Sequence, residues 1–141
     1  MLRDARKKDA QEILELFNSD PNIAGNNENR EEYDIEDIKD YIKKDVSKMI
    51  VYEEDKIIVA ALLAQFWKNY IYINSLIVKK QHQGQGLGQK LLAHIEQLAK
   101  QEQKCQIEIE VIITNKRMQK LVEKTGYKKQ KLIAFYSKKL K

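Results

Sequence analysis

The stretch Val78-Lys79-Lys80-Gln81-His82-Gln83-Gly84-Gln85-Gly86-Leu87-Gly88-Gln89-Lys90-Leu91-Leu92 carries three of the chain's five glycines. It separates two hydrophobic patterns. Before it, Tyr70 to Val78 is nearly continuous in β-branched and aromatic residues, which predicts a strand central in a sheet. After it, Leu87, Leu91, Leu92, Ile95, Leu98 and Ala99 recur at helical spacing, which predicts a helix to about residue 102. Glycines allow a tight turn and a close approach to the backbone. A helix N-terminus supplies unpaired N–H groups and a favourable dipole for phosphate. The stretch reads as a diphosphate cradle, with a plain chain turn as the alternative.

Three nucleotide motifs fail here. A Walker loop needs Lys and Ser/Thr after its glycines, and neither follows. A Rossmann fingerprint needs Gly or Ala where Gln89 stands, inside a parallel strand–helix–strand unit. The kinase loop lacks its catalytic segments, and the chain is too short for them.

Working toward the N-terminus, Met49–Tyr52 and Ile57–Phe66 are further strand signals, with a turn at Glu53–Lys56. With Tyr70–Val78 they form an antiparallel meander. Residues 7–18 and 34–44 read as amphipathic helices, residues 19–33 as a polar loop, and residues 1–3 as an edge strand. Toward the C-terminus, Ile107–Ile113 is a strand. Thr114 or Asn115 caps a helix whose inner face is Met118, Leu121 and Val122, and Gly126 ends it. Tyr127–Lys129 and Leu132–Leu140 give two last strands. The fold class is α/β: a mixed, mostly antiparallel central sheet with helices on both faces.

The length of 141 residues suits a single domain spanning 1–141. No apolar run approaches the ~20 residues that span a bilayer. One cysteine, Cys105, excludes an internal disulfide framework, and no metal-ligand arrangement is present. A cytoplasmic protein is expected. The net charge of +5 is unevenly spread. Residues 115–141 hold ten basic side chains and one acidic one, whereas residues 20–45 hold nine acidic and four basic. No interleaving of aromatic and basic residues favours nucleic acid.

The glycine stretch resembles the acetyl-CoA motif of the GCN5-related N-acetyltransferase (GNAT) superfamily, Gln/Arg-x-x-Gly-x-Gly/Ala, satisfied by Gln83, Gly86 and Gly88. Asn115, Leu121, Gly126 and Tyr127 resemble that family's second conserved segment, and the element order agrees over essentially the whole chain. The resemblance implies an acyl-CoA N-acyltransferase type of fold, acetyl-CoA as cofactor and a primary amine as acceptor. It implies that backbone N–H groups of Gln83, Gly84, Gln85, Gly86, Leu87, Gly88 and Gln89 hold the pyrophosphate. It implies that the backbone of Leu76, Ile77 and Val78 pairs with the pantetheine arm, one amide polarising the thioester carbonyl. Asn115 would meet the arm or its bound water, or serve as a helix cap.

Transfer to an amine requires removing a proton from an ammonium of pKa near 10 for lysine. Glu108 and Glu110 share one face of their predicted strand. Glu110, five residues before Asn115, is similar in position to the base of family members that acetylate protein N-termini. The family's usual proton-donating tyrosine falls at Val122, and its alanine at Met118. Water, Tyr127 or Tyr136 are the remaining donors. The loss at Val122 also prompts a second reading, a non-catalytic acyl-CoA-binding or interaction protein. Tyr70, Tyr72 and Asn74 share a period-two spacing that suits an acceptor groove or an aromatic stripe packed under helices. His82 precedes the turn, and Cys105 reads as a small packing residue. In this family the first two helices and the loop between them usually form one wall of the acceptor site. Here they carry Asp20, Glu28, Glu31, Glu32, Asp34, Glu36, Asp37, Asp40 and Asp45, which would attract a cationic small molecule or peptide. The basic run from Lys116 to Lys129 reads as a contact for the adenosine 3′-phosphate or as a solvated surface. Only fifteen residues follow Gly126. A hairpin that short leaves the groove open to a peptide or protein, or to cover by a second subunit as a homodimer.

Overall fold

The computed structural model describes residues 1–20, 33–134 and 136–140. Five strands, β1 (Leu2–Asp4), β2 (Ser47–Glu54), β3 (Ile57–Phe66), β4 (Tyr70–Val78) and β5 (Gln106–Ile109), form one sheet in the order β1-β2-β3-β4-β5. The first four are mutually antiparallel, and β5 joins β4 in parallel. Four helices accompany them: α1 (Ala10–Ser19), α2 (Ile35–Lys43), α3 (Leu87–Gln101) and α4 (Lys116–Lys124). The loop expected over 19–33, with Glu28, Glu31 and Glu32, lies mostly outside the described residues.

β3 explains the layering. Its run Ile58–Ala64 is buried throughout, the pattern of a strand covered on both faces. Leu62 and Ala64 pack in one cluster with Leu87, Leu91, Leu92 and Ile95 of α3 and Val122 of α4. Ala61 and Leu63 pack in the other with Ile13, Leu16 and Phe17 of α1 and Ile38 of α2. The β2–β3 hairpin turns through Asp55 and Lys56, both at positive φ, as a two-residue hairpin loop requires.

Three expectations are corrected. β5 stops at Ile109 instead of Ile113, because its parallel pairing with β4 ends at Ile73↔Ile109 and the chain then turns, Asn115 N–H donating to Ile112 O at 2.8 Å. The two last strands are not formed among the described residues. Lys128, Lys129, Lys131, Lys138 and Lys139 crowd a segment whose Leu132, Ile133, Tyr136 and Leu140 are all exposed, and no described residue from 128 to 140 is buried to offset the cost of ordering it. Cys105 is exposed and packs against no core.

Candidate functional site

The site is built where β4 loses one neighbour and keeps the other. Its pairing with β3 runs on to Ala60↔Val78, whereas its pairing with β5 stops at Ile73↔Ile109. Residues 74–78 therefore have one bonded edge and one open edge, and the two strands form a fork. The alternation of an antiparallel pair says which groups face the opening. Lys79 N–H donates to Val59 O at 2.8 Å, so the N–H and C=O groups of Leu76 and Val78 point away from β3. The Gln83 Nε2 group agrees with this direction by donating to Val78 O at 2.9 Å. Ile77, between them, faces β3 with its backbone.

The closed end of the fork is marked by an irregularity in β4. Leu63 pairs with Ser75 and Ala64 with Ile73, so Asn74 is an extra residue, a β-bulge. Bulges re-aim side chains, and this one breaks the period-two stripe. Tyr70 and Tyr72 oppose the face on which Ile71 and Ile73 join the α3 cluster, and the bulge falls at the next position of their row, Asn74. The Asn74 amide oxygen is enclosed without a hydrogen-bond partner, which costs about 1–3 kcal/mol. Glu110 is the first residue of the facing strand beyond the last pair, and it is exposed.

At the open end, Lys80–His82 makes one 3-10 turn, Gly84 and Gly86 both sit at φ +81°, and α3 begins at Leu87 with Gly86 as its N-cap. No backbone carbonyl among the described residues accepts from the N–H groups of residues 84–89. A Cβ at Gly86 would have room, with only Gln89 Oε1 at 3.9 Å, so the glycine is needed for its left-handed φ. Gly88 is needed for space: a Cβ there would lie 2.6 Å from Leu121 Cδ2. The first turn of α3 is thus pressed onto α4. One turn before Leu121, Arg117 Nη1 donates to Gln83 Oε1, so the Gln83 amide bridges Arg117 to the end of β4. His82 Nε2 lies 3.6 Å from Glu54, and its Nδ1 is enclosed without a partner.

The second segment follows β5. Asn115 caps α4, its Oδ1 accepting from Met118 N–H at 3.2 Å, and its amide nitrogen has no partner among the described residues. The helix closes through Gly126 N–H to Glu123 O and Tyr127 N–H to Val122 O, a Schellman pattern. Val122 is buried in the α3 cluster. The Tyr127 hydroxyl is enclosed with no hydrogen bond of normal geometry; burial and then the nearby Glu96 carboxylate hold its pKa well above the usual phenol range.

On the face opposite α3, Glu108 is exposed and Tyr70 and Tyr72 are partly exposed. Tyr72 pairs in register with Glu108, and Trp67, half exposed, stacks on Tyr70 with ring centroids 6.2 Å apart. Gln106 donates to Glu108 at 2.7 Å. Part of the expected acidic wall is engaged in holding α2: Asp34 and Asp37 form a reciprocal capping box, and Glu36 pairs with Lys39 at 3.3 Å.

Sequence reasoning misses the bulge and the Arg117–Gln83 bridge. The first has a faint signal in two consecutive polar residues, Asn74-Ser75, within an apolar strand. The second depends on how α4 packs and has none.

The chain matches the Acetyltransferase (GNAT) family over residues 10–127. Among solved structures it is similar to a transcriptional regulator from Bacillus halodurans C-125, at 18% identity and a TM-score of 0.80, covering 96% of this chain and 99% of that one. It is similar to an aminoglycoside acetyltransferase from an uncultured soil metagenomic sample in complex with sisomicin, at 16% identity and a TM-score of 0.81, covering 100% and 96%. It is also similar to ribosomal-protein-alanine N-acetyltransferase from Brucella melitensis biovar Abortus 2308, at 14% identity and a TM-score of 0.76, covering 96% and 99%. At these identities the likeness is one of fold. No curated protein matches the chain.

Proposed function

This chain belongs to the acetyltransferase (GNAT) family, and on that premise we propose that it transfers the acetyl group of acetyl-CoA to a primary amine, carried by a cationic small molecule or by a peptide or protein. The amine attacks directly while both substrates are bound. The observation that carries the reading is the fork between β4 and β5, opening onto a turn with six N–H groups that donate to no described residue. The residues present fit the coenzyme: the turn offers donors and backbone space for a pyrophosphate, and the fork offers an unpaired strand edge for an amide-bearing arm.

When bound, acetyl-CoA supplies an acetyl group activated as a thioester. The N–H groups of residues 84–89 hold the pyrophosphate, and Arg117 beside Gln83 adds a positive charge. The outward backbone of Leu76 and Val78 pairs with the arm, and one N–H of this edge stabilises negative charge on the carbonyl oxygen, usually a large catalytic contribution. Glu110, at the closed end of the fork, takes a proton from the ammonium, directly or through water. Asn115 offers its free amide nitrogen to the arm. Tyr127, whose proton burial and the Glu96 carboxylate retain, is assigned no such step. A thiol of pKa near 8–9 departs without a strong acid.

The face beside Glu110 favours a cationic acceptor, because Glu108 and the aromatic pair Trp67–Tyr70 lie there. No helix among the described residues is long and apolar enough to cross a membrane, and an exposed, unpaired Cys105 suits a reducing compartment such as the cytoplasm. The test is thiol release from acetyl-CoA across a panel of polyamines, aminoglycosides and peptides. Turnover that requires both substrates is expected. Coenzyme binding without turnover on any amine would replace this reading with a non-catalytic coenzyme-binding protein, the alternative that Val122 favours.

A further inference from the structure

Resting on the acyl-CoA reading above, we propose that Asn74 is the hydrogen-bond donor to the coenzyme sulfur, holding it as a thiolate at the closed end of the fork. Asn74 is the extra residue of the β4 bulge and the first residue of β4 past its last pair with β5. Its amide oxygen is enclosed without a partner, and its amide nitrogen bonds to no described residue. Asn side chains ordinarily satisfy themselves on nearby backbone; this one does not, so its place at the bulge is not accounted for by local structure. It lies four positions before Val78, about 13 Å of strand. An arm entering at Val78 and pairing with Leu76 carries its sulfur end toward that level.

The positions expected from the sequence to donate a proton do not serve there. Val122 is apolar and buried, and the Tyr127 hydroxyl lies beside Glu96 on α3. Glu110, the residue across the fork, is an acceptor when ionised. An amide N–H binds an anion more strongly than its neutral form, so Asn74 lowers the pH at which the bound thiol ionises. The proton lost goes to solvent, and no bond to carbon is involved.

The test uses the whole chain saturated with free coenzyme A. Thiolate absorbance in the ultraviolet is titrated against pH, and the same protein saturated with desulfo-coenzyme A is subtracted to remove Cys105. Binding is measured separately by calorimetry. In the wild type the bound thiol is expected to ionise about one pH unit below its value in Asn74→Leu, a tenfold shift. Asn74→Asp, nearly isosteric, is expected to move it above both, because a carboxylate beside the sulfur opposes the thiolate. Coenzyme affinity is expected to stay within about threefold, since an unionised thiol gains little from the donor. An unmoved thiol in N74D overturns the proposal whether or not N74L folds, and so does normal folding of N74L with the wild-type ionisation. A wild-type chain that binds no coenzyme overturns the acetyltransferase reading together with this inference; normal binding with unmoved ionisation overturns this inference alone.

Discussion

Glu110 is legible in the sequence by its distance from Asn115, but its surroundings are not. The spacing of five residues reports a position along the chain. It says nothing about Asn74 across the fork, because strand register is a tertiary property that a bulge resets. Glu110 is exposed and stands one residue past Ile109, so its carboxylate is open to a substrate or a water. Glu110→Gln keeps the size and removes the base. Turnover with an amine below its own pKa is expected to fall about 100-fold, while coenzyme affinity by calorimetry stays unchanged. The defect is expected to shrink as pH rises and the amine deprotonates by itself; a defect independent of pH, or a parallel loss of coenzyme, would remove Glu110 from the base role. Tyr127 makes the opposite case. Its hydroxyl gains no hydrogen bond and its pKa is raised, first by burial. Tyr127→Phe is therefore expected to leave turnover within about twofold and to unfold at no lower urea concentration than the wild type at neutral pH. A large loss of turnover would reinstate the phenol as the proton donor.

At the scale of elements, helices and strands are legible wherever one pattern decides them. The two-faced burial of β3 and the helical spacing of α3 are local signals, and both elements form close to their expected bounds. The elements that differ are those whose extent depends on a partner. β5 has the residues of a longer strand, yet it stops where β4 bulges away. The tail after Gly126 has apolar residues but many lysines between them, and its described residues pair with no strand. The packing of α3 on α4 is a third tertiary feature, and it gives a prediction. Alanine at Gly88 would gain roughly 1 kcal/mol of helix propensity. It would also drive its Cβ to 2.6 Å from Leu121 Cδ2, and overpacking of this kind costs about 1–3 kcal/mol. The clash wins, so Gly88→Ala is expected to lower stability by about 1 kcal/mol in urea unfolding. Because Arg117 is one turn from Leu121, a displaced α4 also moves the guanidinium off Gln83, and coenzyme affinity is expected to drop about tenfold. Adding Leu121→Ala is expected to remove the stability cost of G88A, a coupling that only direct contact produces. Strictly additive effects would show that the two helices do not meet there.

For the molecule as a whole, the two faces of the sheet are covered by different pairs of helices. On the side carrying the glycine turn lie α3 and α4, and on the other lie α1 and α2. The uneven charge visible in the sequence follows this division only in part, because two carboxylates, Asp34 and Asp37, are occupied in capping α2. What ties the N-terminal edge to this body is an ion network. Arg3 of β1 donates to Asp9, just before α1, at 2.7 and 3.1 Å, and to Glu53 of β2 at 3.0 Å. Asp9 also accepts from Arg6 N–H at 2.6 Å. Burial pulls the Asp9 carboxyl upward, but the bonds from Arg3 and Arg6 outweigh it and its pKa ends below the ordinary 3.8. Glu53 is held below 4.5 first by its bond from Arg3. Both carboxylates ionise more easily in the folded chain than in the unfolded one. Their contribution is therefore present above the unfolded values and is lost as pH falls through the folded ones. Stability in urea is expected to be level from pH 7 to about 5 and to fall steeply below about pH 4. Asp9→Asn leaves Arg3 with Glu53 as its one carboxylate partner among the described residues, beside the Asp4 carbonyl, and is expected to cost about 2–3 kcal/mol at pH 7. At a pH below the lowered folded value, where the wild-type carboxyl carries its proton, most of that difference is expected to disappear. A D9N deficit equally large at both pH values would mean that Asp9 acts through shape and packing, and that the edge of the sheet is not held by charge.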